Sequence, residues 1–484
     1  MAIGWNFDNT YRKLSGGFYS NVEPMPVEKP ELILLNNRLA DELGLNFSDT
    51  DPEELSALFT GNTLPDGAEP ISQAYAGHQF GHFTMLGDGR AIIIGEHVSP
   101  DGKRFDIQYK GSGRTPYSRS GDGRATLYSM LREYLISEAL FHLGIPASGS
   151  LAVAKTGMPV YRETIHPGAV LTRVASSHIR IGTFEYAYRF LSREKQREFL
   201  DYTINRHYPG LLESDNKALA LLERVSDKLL SLVLEWMRVG FIHGVLNTDN
   251  MSISGESIDF GPCAFMNGFD PGTAFSSVDM NKRYSFSNQP GIVQWNLAVF
   301  AGTLLTFIDD GRSKAKDAAE AVLKQFEPKF VEEWHRMMGK KLGFRHITKK
   351  EAGLIDQLIS WMEKTKADYT NTFLVIANSA ETPDHFKADE EFQNWHSDWQ
   401  SLITTDHEGL DEARKRMAQS NPVFIPRNHL VEEALTKASN HGDFSSFNSL
   451  LDTLKQPYLQ DWSATDLQQV PAGFDKEYQT FCGT

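Results

Sequence analysis

Residues 242–265 read IHGVLNTDNMSISGESIDFGPCAF, and the reading of this stretch decides the fold. His243, the pair Asp249-Asn250 and the triplet Asp259-Phe260-Gly261 fall within one short segment. Its scattered Gly, Asn and Ser residues break any long helix. Two oxygen-bearing side chains, Asn250 and Asp259, flank a turn at Gly255. The segment predicts a small hairpin, 251–253 against 257–258, that brings both close enough to chelate one hard cation through oxygen.

Protein kinases hold metal and nucleotide phosphates with such a grouping, in the pattern H-R-D-L-x-x-x-N followed by D-F-G. Here His243 and Asn250 keep the spacing, but the third position, the catalytic aspartate of a kinase, is Val245. Valine cannot accept a proton, so the usual base is absent. Asp249 is the nearest carboxylate and could serve as base from another direction. An Asx turn in Thr-Asp-Asn is the alternative, and both readings stay open at this point. The stretch between Asn250 and Asp259 is shorter than in most kinases.

Working outward, residues 216–239 carry apolar side chains at helical spacing and end at Gly240, immediately before the decisive stretch. Downstream the pattern predicts helices at 291–309, 314–342, 349–365, 389–419 and 431–439. Upstream it is sheet-like. Strands are predicted at 92–96 and 105–110, joined through a turn at 100–102, and at 150–154, 159–163 and 169–174. Between them lies GSGRTPYSRSGDGRA at 111–125, then a helix over 126–143. That helix carries Glu133, 23 residues after Lys110 at the end of a strand. In a kinase small lobe a strand lysine touches the phosphates and a helix glutamate holds it, which this spacing fits. Alone, the pair would be weak, since lysines often end strands.

Arg173 ends the last strand and Arg180 lies in the junction that follows, seven residues on, where guanidinium groups suit phosphate. Arg193, Arg197 and Arg206 read as solvated helix surface. Residues 1–70 predict a wrap with helical pieces at 31–43 and 52–60, the second capped by Asp51. In AGHQFGHF, 76–83, His78 and His82 are four apart, but no third ligand accompanies them and the glycines argue against a helix, so a loop is expected. The pentapeptide GDGRA occurs at 87–91 and again at 121–125, too short to be an internal repeat.

The chain has 484 residues, 40% of them hydrophobic, enough for a sizeable core, and a net charge of −15 that opposes a nucleic-acid partner. The first residues lack the charged and apolar regions of a secretory signal, and the apolar run 295–308 is interrupted and too short to span a bilayer. A soluble, cytoplasmic monomer without membrane contact is therefore expected. The two cysteines, Cys263 and Cys482, do not make a disulfide scaffold.

The strings QYKGSGRTPYSRSGDGRA (108–125), HGVLNTDN (243–250) and DFGP (259–262) resemble those of the selenoprotein O family, with similarity running from AYAGHQFGHF to the C-terminal cysteine. The resemblance implies an α+β, protein-kinase-like two-lobed fold. A small antiparallel-sheet lobe with one helix (71–175) would face a large helical lobe with the metal site (176–380). An N-terminal extension (1–70) and a C-terminal helical extension with a cysteine-bearing tail (381–484) would flank them. It implies transfer of AMP from ATP, bound in inverted orientation, to Ser, Thr or Tyr hydroxyls of proteins, with redox-related proteins as the suggested acceptors and pyrophosphate released. Lys110 with Glu133 would contact the phosphates, Asp249 would be the base, and Asn250 and Asp259 would hold Mg²⁺ or Mn²⁺. Arg173 and Arg180 would bind phosphates, and Gly87, Gly89, Arg90, Asp122 and Gly123 would line the nucleotide. Eukaryotic members of that family carry selenocysteine near the C-terminus where many bacterial ones carry Cys-Ser-Ser, whereas here the last residues are Cys482-Gly483-Thr484. As the only cysteines, Cys263 and Cys482 suggest a reversible disulfide that clamps the tail over the site. A conventional phosphotransferase using Asp249 and an inactive ATP-binding scaffold are the alternatives.

Overall fold

The computed structural model describes residues 3–378, 383–405, 409–459 and 465–481. The first half supplies the strands: β1 (Tyr19–Asn21), β2 (Glu31–Leu35), α1 (Asn37–Leu43), α2 (Pro52–Thr60), β3 (Ile71–Gln73), β4 (Ala76–Gln79), β5 (His82–Met85), β6 (Ala91–Val98), β7 (Arg104–Lys110), β8 (Ala125–Thr126), α3 (Leu127–His142), β9 (Gly149–Tyr161) and β10 (Ile165–Ala175). Helices then dominate: α4 (Ile181–Phe190), α5 (Arg193–His207) and α6 (Lys217–Arg238), the short pair β11 (Phe241–Ile242) and β12 (Ala264–Phe265), and α7 (Gln289–Ile308). They continue as α8 (Arg312–Lys324), α9 (Phe326–Lys341), α10 (Lys349–Thr365), α11 (Tyr369–Ala377), α12 (Asp384–Ala388), α13 (Glu390–Thr405), α14 (Leu410–Ser420), α15 (Asn428–His441), α16 (Ser445–Leu454) and α17 (Phe474–Glu477). The fold is α+β: an antiparallel sheet region beside a larger helical one.

The sheet runs β1-β3-β6-β7-β10-β9-β2, with β8 added beside β10. Its central strands are rich in β-branched residues buried on both faces, as Ile92, Ile93, Ile94, Val153 and Val170 are. One face packs on α3, whose apolar residues Leu127, Leu131 and Leu135 share a core with Val431, Leu435 and Phe447 of α15 and α16. The C-terminal helices thus reinforce the sheet region. In the helical region α6 lies at the centre, capped by Asn216, whose side chain accepts from Leu219 N–H at 3.1 Å.

Several expectations are corrected. Residues 31–43 are a strand followed by a helix, because ELILL pairs with β9 and Asn36 caps α1. Residues 150–163 hold one long strand, not two. Gly157, at φ +68°, makes a kink within β9 between the two strands that were expected, and a Cβ there would collide with Lys29. Residues 314–342 split into α8 and α9 because Pro328 cannot donate to the preceding turn. The 389–419 stretch divides into α13 and α14. Residues 251–258 do not pair with each other. Ser252 bridges to Arg180 and Ser257 to Ala147, so the loop is stitched to the elements on either side while its turn at Gly255 stays. Arg206 is not solvated: it is buried and paired with Glu96 and, at 2.7 Å, with Asp106.

Helix α7 with its preceding turn, Phe286–Ile308, is long and apolar enough to cross a membrane by length and composition, a longer run than the sequence suggested. Here it packs against α4, α6 and α8, and its buried Asn296 donates to Leu246 O at 2.9 Å. Those are the contacts of a core helix.

Candidate functional site

The two regions enclose a cavity of about 480 Å³. All the proposed nucleotide, metal and base residues line it: Gly87, Gly89, Arg90, Lys110, Asp122, Gly123, Glu133, Arg173, Arg180, Asp249, Asn250 and Asp259. Residues that are up to 172 positions apart therefore meet at one place. Val245 lines it too, as an apolar wall where a kinase would carry its base.

One wall is a charge cluster. β7 ends at Lys110, whose Nζ donates to Glu133 Oε1 and to Asp259 Oδ1, each at 2.5 Å. From the neighbouring strand β10, Arg173 Nη1 donates to the same Asp259 oxygen at 2.7 Å. Burial alone would raise the Asp259 carboxyl, but Lys110, Arg173 and Arg180 together hold it well below the usual range. Asp259 sits at φ +64°, a left-handed conformation that costs about 1 kcal/mol or more in an L-residue. His243 supports the turn: buried, it bonds Ile258 O through Nε2 at 2.9 Å. Arg132 of α3 fixes the following residues by donating to Gly261 O at 2.9 Å and Cys263 O at 2.6 Å.

Asp249, which lines the same cavity, stands on a short helical turn, buried, with Oδ1 lacking a hydrogen-bond partner. Burial pushes its carboxyl up to about 7 despite the pull of Arg180. The Arg180 guanidinium donates to Asp249 O at 3.2 Å, lies 3.7 Å from Asp88 Oδ1 and stacks 4.2 Å over the Tyr75 ring. Asp88, within the first GDGRA, escaped the sequence reading although its flanking glycines did not. It is buried, accepts from Gln73 N–H at 3.0 Å and is raised by burial. Asp122 in the second GDGRA pairs with Arg162 at 2.8 and 3.2 Å, a partner that spacing could not reveal.

A metal fits the donor set. Asn250 commits its amide nitrogen to Val245 O at 3.0 Å, which leaves the amide oxygen as its ligating atom. Both cations on Asp259 bond Oδ1, which leaves Oδ2. Among the described residues no group of three His, Cys, Asp or Glu side chains gathers for a metal. Magnesium is held by one or two protein oxygens plus phosphates and water, so Asn250 and Asp259 suffice for Mg²⁺ or Mn²⁺ bound with a nucleotide.

His78 and His82 lie on opposite strands of a hairpin, not a loop, in a register that pairs Gln79 with His82. His78 Nδ1 meets the Glu185 carboxyl, and His82 is exposed. Cys263 is buried, bonded to Phe260 O at 3.2 Å, and burial pushes its thiol up to about 12. Cys482 lies outside the described residues. The described tail reaches this place all the same, since Thr480 Oγ1 donates to Pro262 O at 2.7 Å.

Comparison with known proteins places this geometry. A protein named Protein nucleotidyltransferase YdiU from Nitrosococcus oceani is 51% identical over 484 residues, covering 100% of this chain and 98% of that relative. Relatives of the same name from Pelagibacter ubique and Brevibacillus brevis are 49% and 50% identical, covering 100% and 99% of this chain and 100% and 98% of their own lengths. The family model described as Protein adenylyltransferase SelO matches residues 2–455, which include every side chain placed in the cavity, and the chain belongs to that family.

Proposed function

We propose that the protein transfers AMP from ATP to Ser, Thr or Tyr hydroxyls of other proteins. The observation that carries this reading is Asp249, a carboxylate with an unpartnered oxygen and a pKa raised to about 7, in the same cavity as the cations Lys110, Arg173 and Arg180. A base poised near neutral pH suits removal of a hydroxyl proton. The acceptor oxygen attacks the α-phosphorus of ATP, its proton passes to Asp249, and the bond from the α-phosphorus to the bridging oxygen breaks. Pyrophosphate leaves with that electron pair. Lys110, Arg173 and Arg180 neutralise charge on the phosphates. A divalent cation held by Asn250 and Asp259 supplies further charge neutralisation when bound.

The two regions read as the lobes of a protein-kinase-like fold, supported by the Lys110–Glu133 pair at 2.5 Å and by a cleft between sheet and helices. A reversible Cys263–Cys482 bridge belongs to the same reading, supported by the docking of Thr480 beside Pro262. Non-reducing peptide mapping after mild oxidation checks it, and intermolecular bridges alone would end it.

The test of the main reading is incubation with Mg²⁺ or Mn²⁺ and ATP labelled at either the α- or the γ-phosphate. Protein-bound α-label alone is expected. Protein-bound γ-label would make the protein a phosphotransferase, and no label with tight ATP binding would make it a scaffold.

A further inference from the structure

Between β3 and β6 the chain leaves the main sheet as the β4–β5 hairpin, and what it grips is the loop that carries Asp249. His78 N–H donates to Thr248 Oγ1 at 2.8 Å, and Phe80 N–H donates to Asn247 Oδ1 at 3.1 Å. The His78 imidazole meets the buried Glu185 side chain of α4 through Nδ1. The ring packs 5.5 Å from Trp295 of α7, and Phe80 packs 5.4 Å from Tyr284, whose hydroxyl shares Asn247 Oδ1 at 2.5 Å. A segment of the sheet region is thus anchored in the helical one.

Two glycines close the grip. A Cβ at Gly77 would lie 2.8 Å from Asp249 Cγ and 2.9 Å from its Cβ, overlapping Oδ1. At Gly182, on the other side, a Cβ would overlap the Ala76 carbonyl oxygen and lie 3.3 Å from Asp249 Cα. Gly77 is not in the left-handed region, so what it provides is room for the carboxylate. Neither Gly77 nor His78 lines the nucleotide cavity.

We propose that the β4–β5 hairpin is a positioning element for the base: Gly77 and His78 set where the Asp249 carboxylate meets the acceptor hydroxyl, and take no part in binding ATP. The inference rests on the reading of Asp249 as base. A displacement of about 1 Å at a reacting group can cost about 10²-fold in rate, and one methyl group at Gly77 forces at least part of that shift.

The experiment compares Gly77→Ala, His78→Ala and His78→Asn with His82→Ala, a change on the exposed edge of the same hairpin. Turnover and KM with α-labelled ATP, ATP affinity by calorimetry and the pH profile of turnover are measured. Gly77→Ala is expected to lower kcat by about 10²-fold with ATP affinity unchanged within about twofold, and to move the pH midpoint. His78→Ala should lower kcat less, His78→Asn should recover part of it, and His82→Ala should match wild type. Wild-type kcat and pH midpoint in Gly77→Ala and His78→Ala would overturn the proposal, as would a loss of ATP affinity as large as the loss of kcat. Should Gly77→Ala fail to fold, the His78 pair decides alone. If wild type transfers γ-label instead, the adenylylation reading falls while the same comparison, made on γ-label, still tests the hairpin.

Discussion

The two walls of the cavity treat their carboxylates in opposite ways. On one, Asp259 meets Lys110 at 2.5 Å and Arg173 at 2.7 Å, and charge holds it ionised. On the other, Asp249 is buried with an unpartnered oxygen, and desolvation outweighs Arg180. Both residues come from one loop of the chain, so the difference is made by what packs on them. A wall with paired charges suits holding phosphates and metal. A wall with a carboxylate short of partners suits moving a proton.

Breaking the paired wall should have the largest effect. Asp259→Asn removes a proposed metal ligand and leaves Lys110 and Arg173 with Glu133 as their remaining carboxylate, at 2.5 and 4.0 Å, so α-label incorporation should fall by about 10³-fold or more. Denaturant unfolding should show a loss on the order of 3 kcal/mol. Asp249→Asn should lower kcat by about 10²- to 10⁴-fold with ATP affinity nearly unchanged.

Its effect on stability should have the opposite sign. The folded-state pKa of Asp249 is raised, from the ordinary 3.8 to about 7, so the stability linked to its neutral form is complete below its unfolded pKa and is lost as pH rises through about 7. The Asn variant should therefore match wild type near pH 4 and exceed it near pH 8, by a few kcal/mol at most. Unfolding curves at the two pH values check this. Smaller again, Arg173→Lys keeps the charge but loses the planar fork, and should weaken ATP binding about tenfold by calorimetry. The smallest effect is expected at Cys263: its thiol, pushed up to about 12, should resist alkylation in the folded protein, and Cys263→Ala should change reduced-state turnover by less than about twofold.

The paired wall was legible in the sequence because its parts are short-range signals. Lys110 ends an alternating strand, Glu133 lies on the next periodic helix, and Asp259 announces itself in Asp-Phe-Gly. The other wall was only half legible. Asp249 stood out beside Asn250, but its surroundings, Asp88, Glu185, Gly77 and His78, come from separate elements and meet it only through tertiary packing. His78 and His82 were weighed as a metal pair because four residues separate them, a spacing that means proximity on a helix and opposite strands on a hairpin. Helix existence was read well where capping and period agreed, as at α2, α6 and α10. It failed where a half-buried edge strand looked helical, as at Glu31–Leu35, whose pairing partner lies more than a hundred residues away.

The contrast between the walls is tested most directly by the pH dependence of α-label transfer in wild type and Asp249→Asn under saturating ATP and metal. Wild-type kcat should rise with pH through a midpoint near 7, as Asp249 loses its proton, and the residual rate of the variant should lack that ionisation. An unchanged midpoint near 7 in Asp249→Asn would assign the ionisation to another group and contradict the account.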